Sequence, residues 1–438
     1  MKKPYPLLPV IIAIAATAIL ISSCKNKKAP PKENRNELVE NVSLGKTPAS
    51  FLFLSDIHLE TYSDTTVPNH DTGMDLWYRF LSKAESLLSA PDAPQFIIYT
   101  GDLPGHYGKY YLQPNSPDRI HHDRNIDTIL TGLRNLATKY NKALFYLPGN
   151  NDGLAGDYYS FTDENGNTPF YLVPDSSNPY PALNINRSGN KAPCIVSNPR
   201  PDLGYYAAKP VEGLRLLALN TVMYNHGFKM ANGSDPDSAR HEQMKWLEAQ
   251  LADATAKKEK VYIAMHIPPG LDAFGTSQKS KTVLMWQGQK WQNKFLRLTS
   301  DPAYQQTIAG ILYGHTHMDE LRLLYDSSGQ QVTEVAISCP GVTTEFGHNS
   351  GFKTVQYDPS SKELVDFTTY YTKLGVPWGN DQYRFSQVFN AAGGSTIYQC
   401  LKTMSISNVV ANMDSIFTVK KGPASYDIQP GIKVLWSQ

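Results

Sequence analysis

Two aspartates, one asparagine and four histidines in this chain closely follow short apolar runs. Phe51–Ser55 leads into Asp56 and His58, Phe96–Thr100 into Asp102, and Ala143–Pro148 into Asn150. Val261–Met265 leads into His266, and Ile308–Gly314 into His315 and His317. Leu214–Leu219 leads into Asn220 in the same way, although no metal is assigned to that residue. Carboxylates, an amide carbonyl and imidazoles suit Zn, Mn or Fe, and four imidazoles disfavour Mg or Ca. Seven ligands are too many for one tetrahedral ion and suit two divalent ions. Asp102 stands alone after its run, in a Gly-Asp turn where Gly101 lets the backbone approach the ions, so it is the candidate bridge. Two metals ~3.5–4 Å apart clamp the attacking and leaving oxygens of an in-line displacement, and a bridging hydroxide forms near neutral pH. The chemistry implied is hydrolysis at phosphorus. Any one of these residues alone is more simply a hydrogen-bonded structural side chain, and the joint pattern carries the reading.

Residues this far apart in sequence meet only if the fold brings them together. Runs rich in β-branched and aromatic residues read as buried strands, and open α/β sheets collect ligand sites just beyond the carboxyl ends of their strands. Between the runs, Leu76, Phe80, Leu81, Ala84 and Leu88 fall at helical spacing. So do Ile126, Ile129, Leu130, Leu133, Leu136 and Tyr140, and later Met244, Leu247 and Leu251. These stripes are core faces of helices. From Phe51 onward, alternating strands and helices indicate an α/β domain. Tyr158–Asn198, rich in Asn, Pro, Asp and Ser, reads as a long excursion from the core. After His317, Val332–Ser338, Gly351–Tyr357 and Leu364–Tyr371 read as strands of a second sheet beside the first. Residues 373–438 turn helical (Tyr383–Ala391, Ile406–Phe417) and are expected to form a small C-terminal helical subdomain.

The chain has 438 residues, 41% hydrophobic and 18% charged, with a formal charge of +1. That length supports a large core, and the balance argues against a dedicated nucleic-acid surface. Lys2 and Lys3 precede the apolar stretch Leu7–Ile21, which ends in Ile21-Ser22-Ser23-Cys24. A positive start, a short apolar core and small residues mark a signal peptide over 1–23, and a Cys directly after it is the pattern of a bacterial lipoprotein. Cys24 is therefore the expected acylation site, with residues 24–48 a flexible basic tether. This predicts membrane attachment through an N-terminal acyl anchor in the cell envelope. Lys25 and Asn26 follow the anchor rather than Asp, which favours the outer membrane. Cys194, Cys339 and Cys400 remain, an odd count that leaves at least one outside any disulfide, and without a CxxC pair they suggest no Cys-based zinc site.

Taken together, Asp56-Ile57-His58, Gly101-Asp102, Gly149-Asn150-Asn151-Asp152, His266 and Gly314-His315-Thr316-His317 resemble the motifs of the calcineurin-like metallophosphoesterases. Within that family the chain looks like the acid sphingomyelinase-like phosphodiesterases. Asp102-Leu103-Pro104-Gly105-His106, Leu219-Asn220-Thr221, His266-Ile267-Pro268-Pro269-Gly270 and Asn349-Ser350-Gly351-Phe352 carry that narrower likeness, which spans about residues 49–372. The resemblance implies a four-layer α/β/β/α sandwich of two mixed sheets. It implies one metal on Asp56, His58 and His317, a second on Asn150, His266 and His315, and Asp102 between them, with Zn favoured and Mn or Fe allowed. It also implies His106 as general acid at the leaving group. Asn151 stands where the family usually has a His; it can donate a hydrogen bond to a phosphate oxygen but cannot deliver a proton. His348, close to the Asn349 motif, is a further candidate to touch phosphate.

The expected function is an exported, lipid-anchored binuclear phosphodiesterase acting on a phosphate-ester small molecule or lipid, either a phospholipid headgroup or a nucleotide. A phosphomonoesterase or polyphosphatase on the same metals is the alternative enzyme. A catalytically dead metal-binding surface lipoprotein is the non-enzymatic alternative, and the full set of seven ligands argues against it.

Overall fold

The computed structural model describes residues 47–106, 112–166, 194–424 and 427–437. The expected leader, Cys24, nearly all of the tether and the middle of the 158–198 excursion lie outside the described residues. β1 (Ala49–Leu54), β2 (Phe96–Tyr99) and β3 (Ala143–Tyr146) pair in parallel, connected through α1 (Met74–Leu88) and α2 (Pro117–Lys139). β4 (Ile195–Arg200), β5 (Tyr205–Val211) and β6 (Leu214–Leu219) form an antiparallel meander in a second sheet. α3 (Asp237–Ala256) leads to β7 (Lys260–Met265), and α4 (Ala273–Lys279) and α5 (Asn293–Ser300) lead to β8 (Ile308–Tyr313). β6, β7 and β8 are mutually parallel. β9 (Leu321–Tyr325) and β10 (Val332–Ser338) make a hairpin in which β10 lies parallel to β8. β11 (Ser350–Tyr357) and β12 (Leu364–Thr372) return to the first sheet, with β11 antiparallel to β1.

The three strands expected after His317 therefore do not build a sheet of their own. β10 joins the second sheet, whereas β11 and β12 join the first. An apolar strand records that both faces are covered, not which neighbour supplies its backbone partners. The C-terminal stretch is helical in α6 (Phe385–Val388), α7 (Ile397–Thr403), α8 (Ile406–Asp414) and α9 (Gln429–Ile432). It also gives each sheet an edge strand: β13 (Gln382–Arg384) beside β12, and β14 (Lys433–Val434) beside β9. The helix expected from Tyr383 thus begins as a strand, because Gln382, Tyr383 and Arg384 take backbone partners from the edge of β12. The final orders are β13-β12-β11-β1-β2-β3 and β14-β9-β10-β8-β7-β6-β5-β4.

Side-chain alternation explains how apolar runs serve two interfaces at once. In β7, Tyr262 and Ala264 join the core between the sheets, while Val261, Ile263 and Met265 pack with Met244, Leu247 and Leu251 of α3. Phe51 of the first sheet meets Tyr262 of the second at 5.8 Å between ring centroids. On the outer side of the first sheet lie Leu76, Trp77 and Phe80 of α1 and Ile126, Ile129 and Leu133 of α2. The result is helix, sheet, sheet, helix, as expected. Each fully buried Leu, Phe or Ile contributes roughly 1.5–3 kcal/mol. Among the described residues no helix is long and apolar enough to cross a membrane.

One polar network is sealed inside this apolar stack. Lys353 of β11 and Asp319, just before β9, are both fully buried and meet at 2.6 Å. Thr369 of β12 and Tyr383 of β13 each donate to Asp319 Oδ2 at 2.7 Å, and Lys353 also reaches the Ser338 carbonyl at 2.7 Å. Elements of both sheets are thereby fixed in one register. A buried ion pair persists only when its remaining hydrogen-bonding capacity is met in this way.

Candidate metal centre

All seven candidate ligands leave strand ends along one rim of the sandwich. Asp56 and His58 follow β1, Asp102 follows β2, and Asn150 follows β3 in a single 3-10 turn. His266 follows β7, and His315 and His317 follow β8. Five of them have left-handed backbones, with φ of 48° at Asp56, 46° at His58, 59° at Asp102, 74° at His315 and 61° at His317. Such conformations cost non-glycine residues on the order of 1–3 kcal/mol and concentrate at functional sites. Hydrogen bonds between the loops hold them: Asp56 N to the Gly101 carbonyl (3.0 Å), His58 N to the Asp102 carbonyl (3.2 Å), Gly341 N to the His317 carbonyl (2.9 Å).

Glycine lets two of these loops touch. A Cβ on Gly149 would sit 2.1 Å from Asp102 Oδ1, and one on Gly101 (φ +93°) would sit 2.2 Å from Gly149 N. Gly101 therefore serves the packing of the two ligand loops against each other, a more specific role than approach to the ions. Asp152, fully buried, completes this junction. Its carboxylate accepts from Asp102 N (3.0 Å), Leu103 N (2.7 Å), Gly149 N (2.7 Å) and Tyr146 Oη (2.8 Å).

The ligand atoms converge. His58 Nδ1 donates to the Pro104 carbonyl at 3.0 Å, and His266 Nδ1 donates to the Thr100 carbonyl at 2.7 Å. A carbonyl only accepts, so each ring is fixed with Nε2 facing the cluster, as second-layer partners of metal-bound histidines do. His58 Nε2 lies 3.1 Å from His317 Nε2, and His266 Nε2 lies 3.0 Å from Asn150 Oδ1. Asp102 Oδ2 stands between them, 3.4 Å from His58 Nε2 and 3.3 Å from His266 Nε2. Asp56 Oδ1 is 3.6 Å from His317 Nε2 and 3.8 Å from His58 Nε2, and both Asp56 carboxylate oxygens accept from His315 N, at 3.1 and 3.0 Å. Asp102, His266 and His315 bring their ligand atoms within 4.8 Å of one another, as do Asp56, His58 and Asp102. Lone pairs facing lone pairs need protons or cations between them. Two ligands each ~2.1 Å from one ion stand about 3.0–3.4 Å apart, so these separations and donor types fit metal ions.

The electrostatics agree. Burial alone would lower the His58 and His266 imidazoles. The surrounding carboxylates of Asp56 and Asp102, with Asp71 near His58 and Asp152 near His266, outweigh it and hold both up to about 9. Asp102 is pushed up by burial but, beside His266 and His58, ends well below the usual carboxylate range. His315 is lowered to about 3 by burial and by His266, and His317 is likewise pushed well down by burial and by His58.

The remaining candidates fall in different places. His106 lies beside the cluster, its ring stacked on His58 at 4.0 Å and 17°. Its Nδ1 meets Asp71 Oδ1 at 2.7 Å, and its backbone N–H donates to Asp71 Oδ2 at 2.6 Å. Asn151 does not line the cavity. Its Nδ2 donates to Asp102 Oδ2 (3.0 Å) and its N–H to Asp102 Oδ1 (2.9 Å), while His122 Nε2 donates to its carbonyl at 2.9 Å. His348 is buried behind His317, ring to ring at 5.7 Å, and is lowered to about 4 by burial. Asn220 is occupied with Gln243 and the Leu203 carbonyl, in keeping with its exclusion from the ligand set. Cys339 and Cys400 are free thiols.

A cavity of about 390 Å³ opens onto the cluster, lined by Asp102, His106, Asn150, His315 and His317, and farther out by Asp157, Phe274, Lys279 and Phe346. Asp71, Asp157 and the two phenylalanines were not singled out by sequence. None sits beside a strand end in a motif, and the only signal was the acidic character of the segments that carry Asp71 and Asp157. Asp157 accepts from Asn150 Nδ2 at 2.8 Å, which turns the Asn150 carbonyl oxygen toward His266. A larger groove of about 950 Å³ beside α8 contains none of the candidate ligands.

Comparison with known proteins gives a consistent grouping. The model of the calcineurin-like phosphoesterase family matches residues 49–319, more than half of the chain. The chain is 28% identical over 359 residues to "Sphingomyelinase phosphodiesterase D" of Dictyostelium discoideum, covering 78% of this chain and 73% of that protein. It is 28% identical over 306 residues to "Cyclic GMP-AMP phosphodiesterase SMPDL3A" of Rattus norvegicus, covering 67% of this chain and 60% of the rat protein. It is 28% identical over 371 residues to the "Sphingomyelin phosphodiesterase" of Bos taurus, covering 74% of this chain and 51% of the bovine protein.

Proposed function

The chain belongs to the calcineurin-like phosphoesterase family, and from that membership we propose that it is a metal-dependent phosphodiester hydrolase. The observation that carries the reading is Asp102 Oδ2 poised 3.4 and 3.3 Å from the Nε2 atoms of two histidines of different ligand sets. Asp56, His58 and His317 would hold one divalent ion, Asn150, His266 and His315 the other, with Asp102 shared. Two such ions, when bound, polarise a phosphoryl group and acidify water. Zn is our assignment, because imidazole-rich sets favour it, while Mn or Fe suits the same donors.

The chain's own groups divide the remaining work. His106, at the cavity wall, is placed to give a proton to a departing oxygen, with Asp71 fixing its ring. Asn151 serves by holding both oxygens of Asp102. The relatives named for sphingomyelin and for cyclic GMP-AMP support a phosphodiester as substrate class.

The test is hydrolysis by the chain from residue 25 onward, with metals stripped and restored, on bis-p-nitrophenyl phosphate against p-nitrophenyl phosphate. Metal-dependent cleavage favouring the diester is expected. Equal or greater turnover of the monoester would replace the reading with a phosphomonoesterase, and silence with two metals bound would sink it.

Export and lipid attachment through Cys24 belong to the same proposal and rest on Lys2, Lys3, Leu7–Ile21 and the Ser22-Ser23-Cys24 sequence. Cys24→Ser should release the protein from the membrane fraction and abolish labelling by radioactive fatty acid. Unchanged membrane association would remove the anchor from the proposal.

A further inference from the structure

His58 and His266 each give their Nδ1 proton to a backbone carbonyl, at 3.0 and 2.7 Å, and His317 differs from both. Its Nε2 takes the ligand side, 3.1 Å from His58 Nε2 and 3.6 Å from Asp56 Oδ1. A neutral imidazole that offers one nitrogen to a metal carries its proton on the other, here Nδ1. That Nδ1 is buried and meets no hydrogen-bond partner among the described residues. A buried donor left unmatched costs about 1–3 kcal/mol, and metal-bound histidines nearly always pass this proton to an acceptor.

The neighbouring ring has the opposite lack. His348 is buried beside His317, with centroids 5.7 Å apart and planes at 71°. Its Nδ1 lies 2.9 Å from the Asn349 carbonyl. A carbonyl only accepts, so His348 donates there and keeps a lone pair on Nε2. That Nε2 is likewise buried without a partner among the described residues. Two imidazoles sharing an N–H···N bond stand roughly 5–5.5 Å apart between centroids, so a small tilt of one ring joins the spare donor to the spare acceptor. The loop that carries His348 is clamped in place by residues 418–424. Ala424 N donates to the Gly347 carbonyl (2.8 Å) and Asn349 Nδ2 to the Val419 carbonyl (3.3 Å), while a Cβ on Gly422 would sit 2.9 Å from His348 Cα. Gly341 links the two loops, its N–H on the His317 carbonyl and its own carbonyl taking Gly351 N, both at 2.9 Å.

Resting on the assignment of His317 as a metal ligand, we propose that His348 is a positioning residue whose Nε2 accepts the Nδ1 proton of His317. The bond sets the plane in which His317 Nε2 meets the ion it would share with Asp56 and His58. His348 therefore acts through His317 and not on phosphate, from which its burial removes it. The support comes from residues beyond the 49–319 that the family model matches.

The experiment reads metal binding rather than turnover. Zinc is returned to the stripped chain in competition with a chelator, so that the two ions are bound in separate steps. His348→Phe keeps a ring and removes the acceptor. It should weaken one ion by roughly 10- to 100-fold, the usual cost of losing such a partner, and leave the other unchanged. In a His58→Ala background, where the same ion has already lost a direct ligand, His348→Phe should add little. His348→Gln, whose Oε1 reaches where Nε2 stood, should restore most of the affinity. Unchanged affinities with a lower thermal midpoint of the stripped protein would reduce His348 to packing and overturn the proposal, as would equal weakening of both ions. The wild type tests the bond without any variant. In the zinc-loaded chain labelled with heavy nitrogen, a scalar coupling should join His317 Nδ1 to His348 Nε2. The Nδ1 proton resting instead on the hydroxyl of Thr316 or Ser350, both also buried and unmatched, would overturn it. A wild-type chain that binds no ion would bring down the metal assignment itself. One that binds two, with His348→Phe identical to it, would remove only the role of His348.

Discussion

His106 and Asp71 are joined twice, through Nδ1 to Oδ1 at 2.7 Å and through the His106 backbone N–H to Oδ2 at 2.6 Å. Burial alone would raise the Asp71 carboxyl, but the hydrogen bond and charge of His106 outweigh it and hold Asp71 below its ordinary range. One carboxylate thus fixes both the loop and the ring, leaving Nε2 to face the site. Asp71→Asn is expected to cut kcat on alkyl diesters about 10- to 100-fold, the usual cost of losing an orienting partner, with KM little changed. A KM effect with unaltered kcat would assign Asp71 to substrate binding instead.

Removing His106 tests the proton donor directly. His106→Ala should slow esters of poor leaving groups by roughly 10²- to 10⁴-fold and p-nitrophenyl esters far less, because nitrophenolate needs little protonation. Equal losses on both would show that His106 is not the acid.

Asp102→Asn should remove turnover and most bound metal while leaving circular dichroism and thermal unfolding of the stripped protein nearly unchanged. Metal content by plasma emission spectroscopy decides it. A fully active variant would end the assignment of Asp102 as the shared ligand.

Metal uptake should be strongly pH-dependent. His58 and His266, held up to about 9, carry protons at neutral pH that a cation must expel, whereas His315 and His317 are neutral there. Loading the stripped protein at pH 7 should therefore release about two protons, measurable in buffers of different ionisation enthalpy. Apparent affinity should climb with pH and level off above about 9. For the stripped protein the sign reverses. A folded-state imidazole raised above its ordinary 6.5 stabilises fully below that value, and its contribution is lost as pH rises through about 9.

The sealed pair of Lys353 and Asp319 should matter for stability and not for chemistry. Lys353→Met strands the Asp319 carboxylate among apolar side chains and is expected to cost ~3–5 kcal/mol, read as a lower denaturation midpoint. A loss under about 1 kcal/mol, the value of an exposed pair, would show that water reaches Asp319.

Gly149→Ala probes the meeting of the ligand loops. A methyl 2.1 Å from Asp102 Oδ1 must push the Asp102 turn away, at a cost of roughly 1–3 kcal/mol and with loss of bound metal. Retained metal stoichiometry would mean that the loops yield without moving Asp102.

Much of this protein was legible in its sequence. β1, β2, β3, β6, β7 and β8 are near-continuous apolar runs because both of their faces are covered, and the polar residue ending each run marks a strand's exit at the sheet rim. That coupling is local, so hydrophobicity and residue type suffice to pick out the seven candidate ligands. β9 carries a buried Arg322, and β4 carries Asn198, Pro199 and Arg200, so neither shows such a run. β13 is three residues long and exists only because the edge of β12 offers partners.

The tertiary structure alone decided what depends on contacts between distant segments. Whether β10, β11 and β12 formed one sheet or joined two was settled by which strand edge each met, and their sequences look alike in either case. Asn151 turned to Asp102 rather than to the cavity because two backbones close together on Gly149 placed both Asp102 oxygens within its reach. Asp71 and Phe346 arrive from loops and Phe274 from the first turn of the short α4, none with a periodicity that marks it, and only distance in space reveals them. Sequence fixes which atoms can bind a metal or carry a proton, because that is intrinsic to the side chain. The angle and separation at which those atoms meet come from long-range packing, which no single segment encodes.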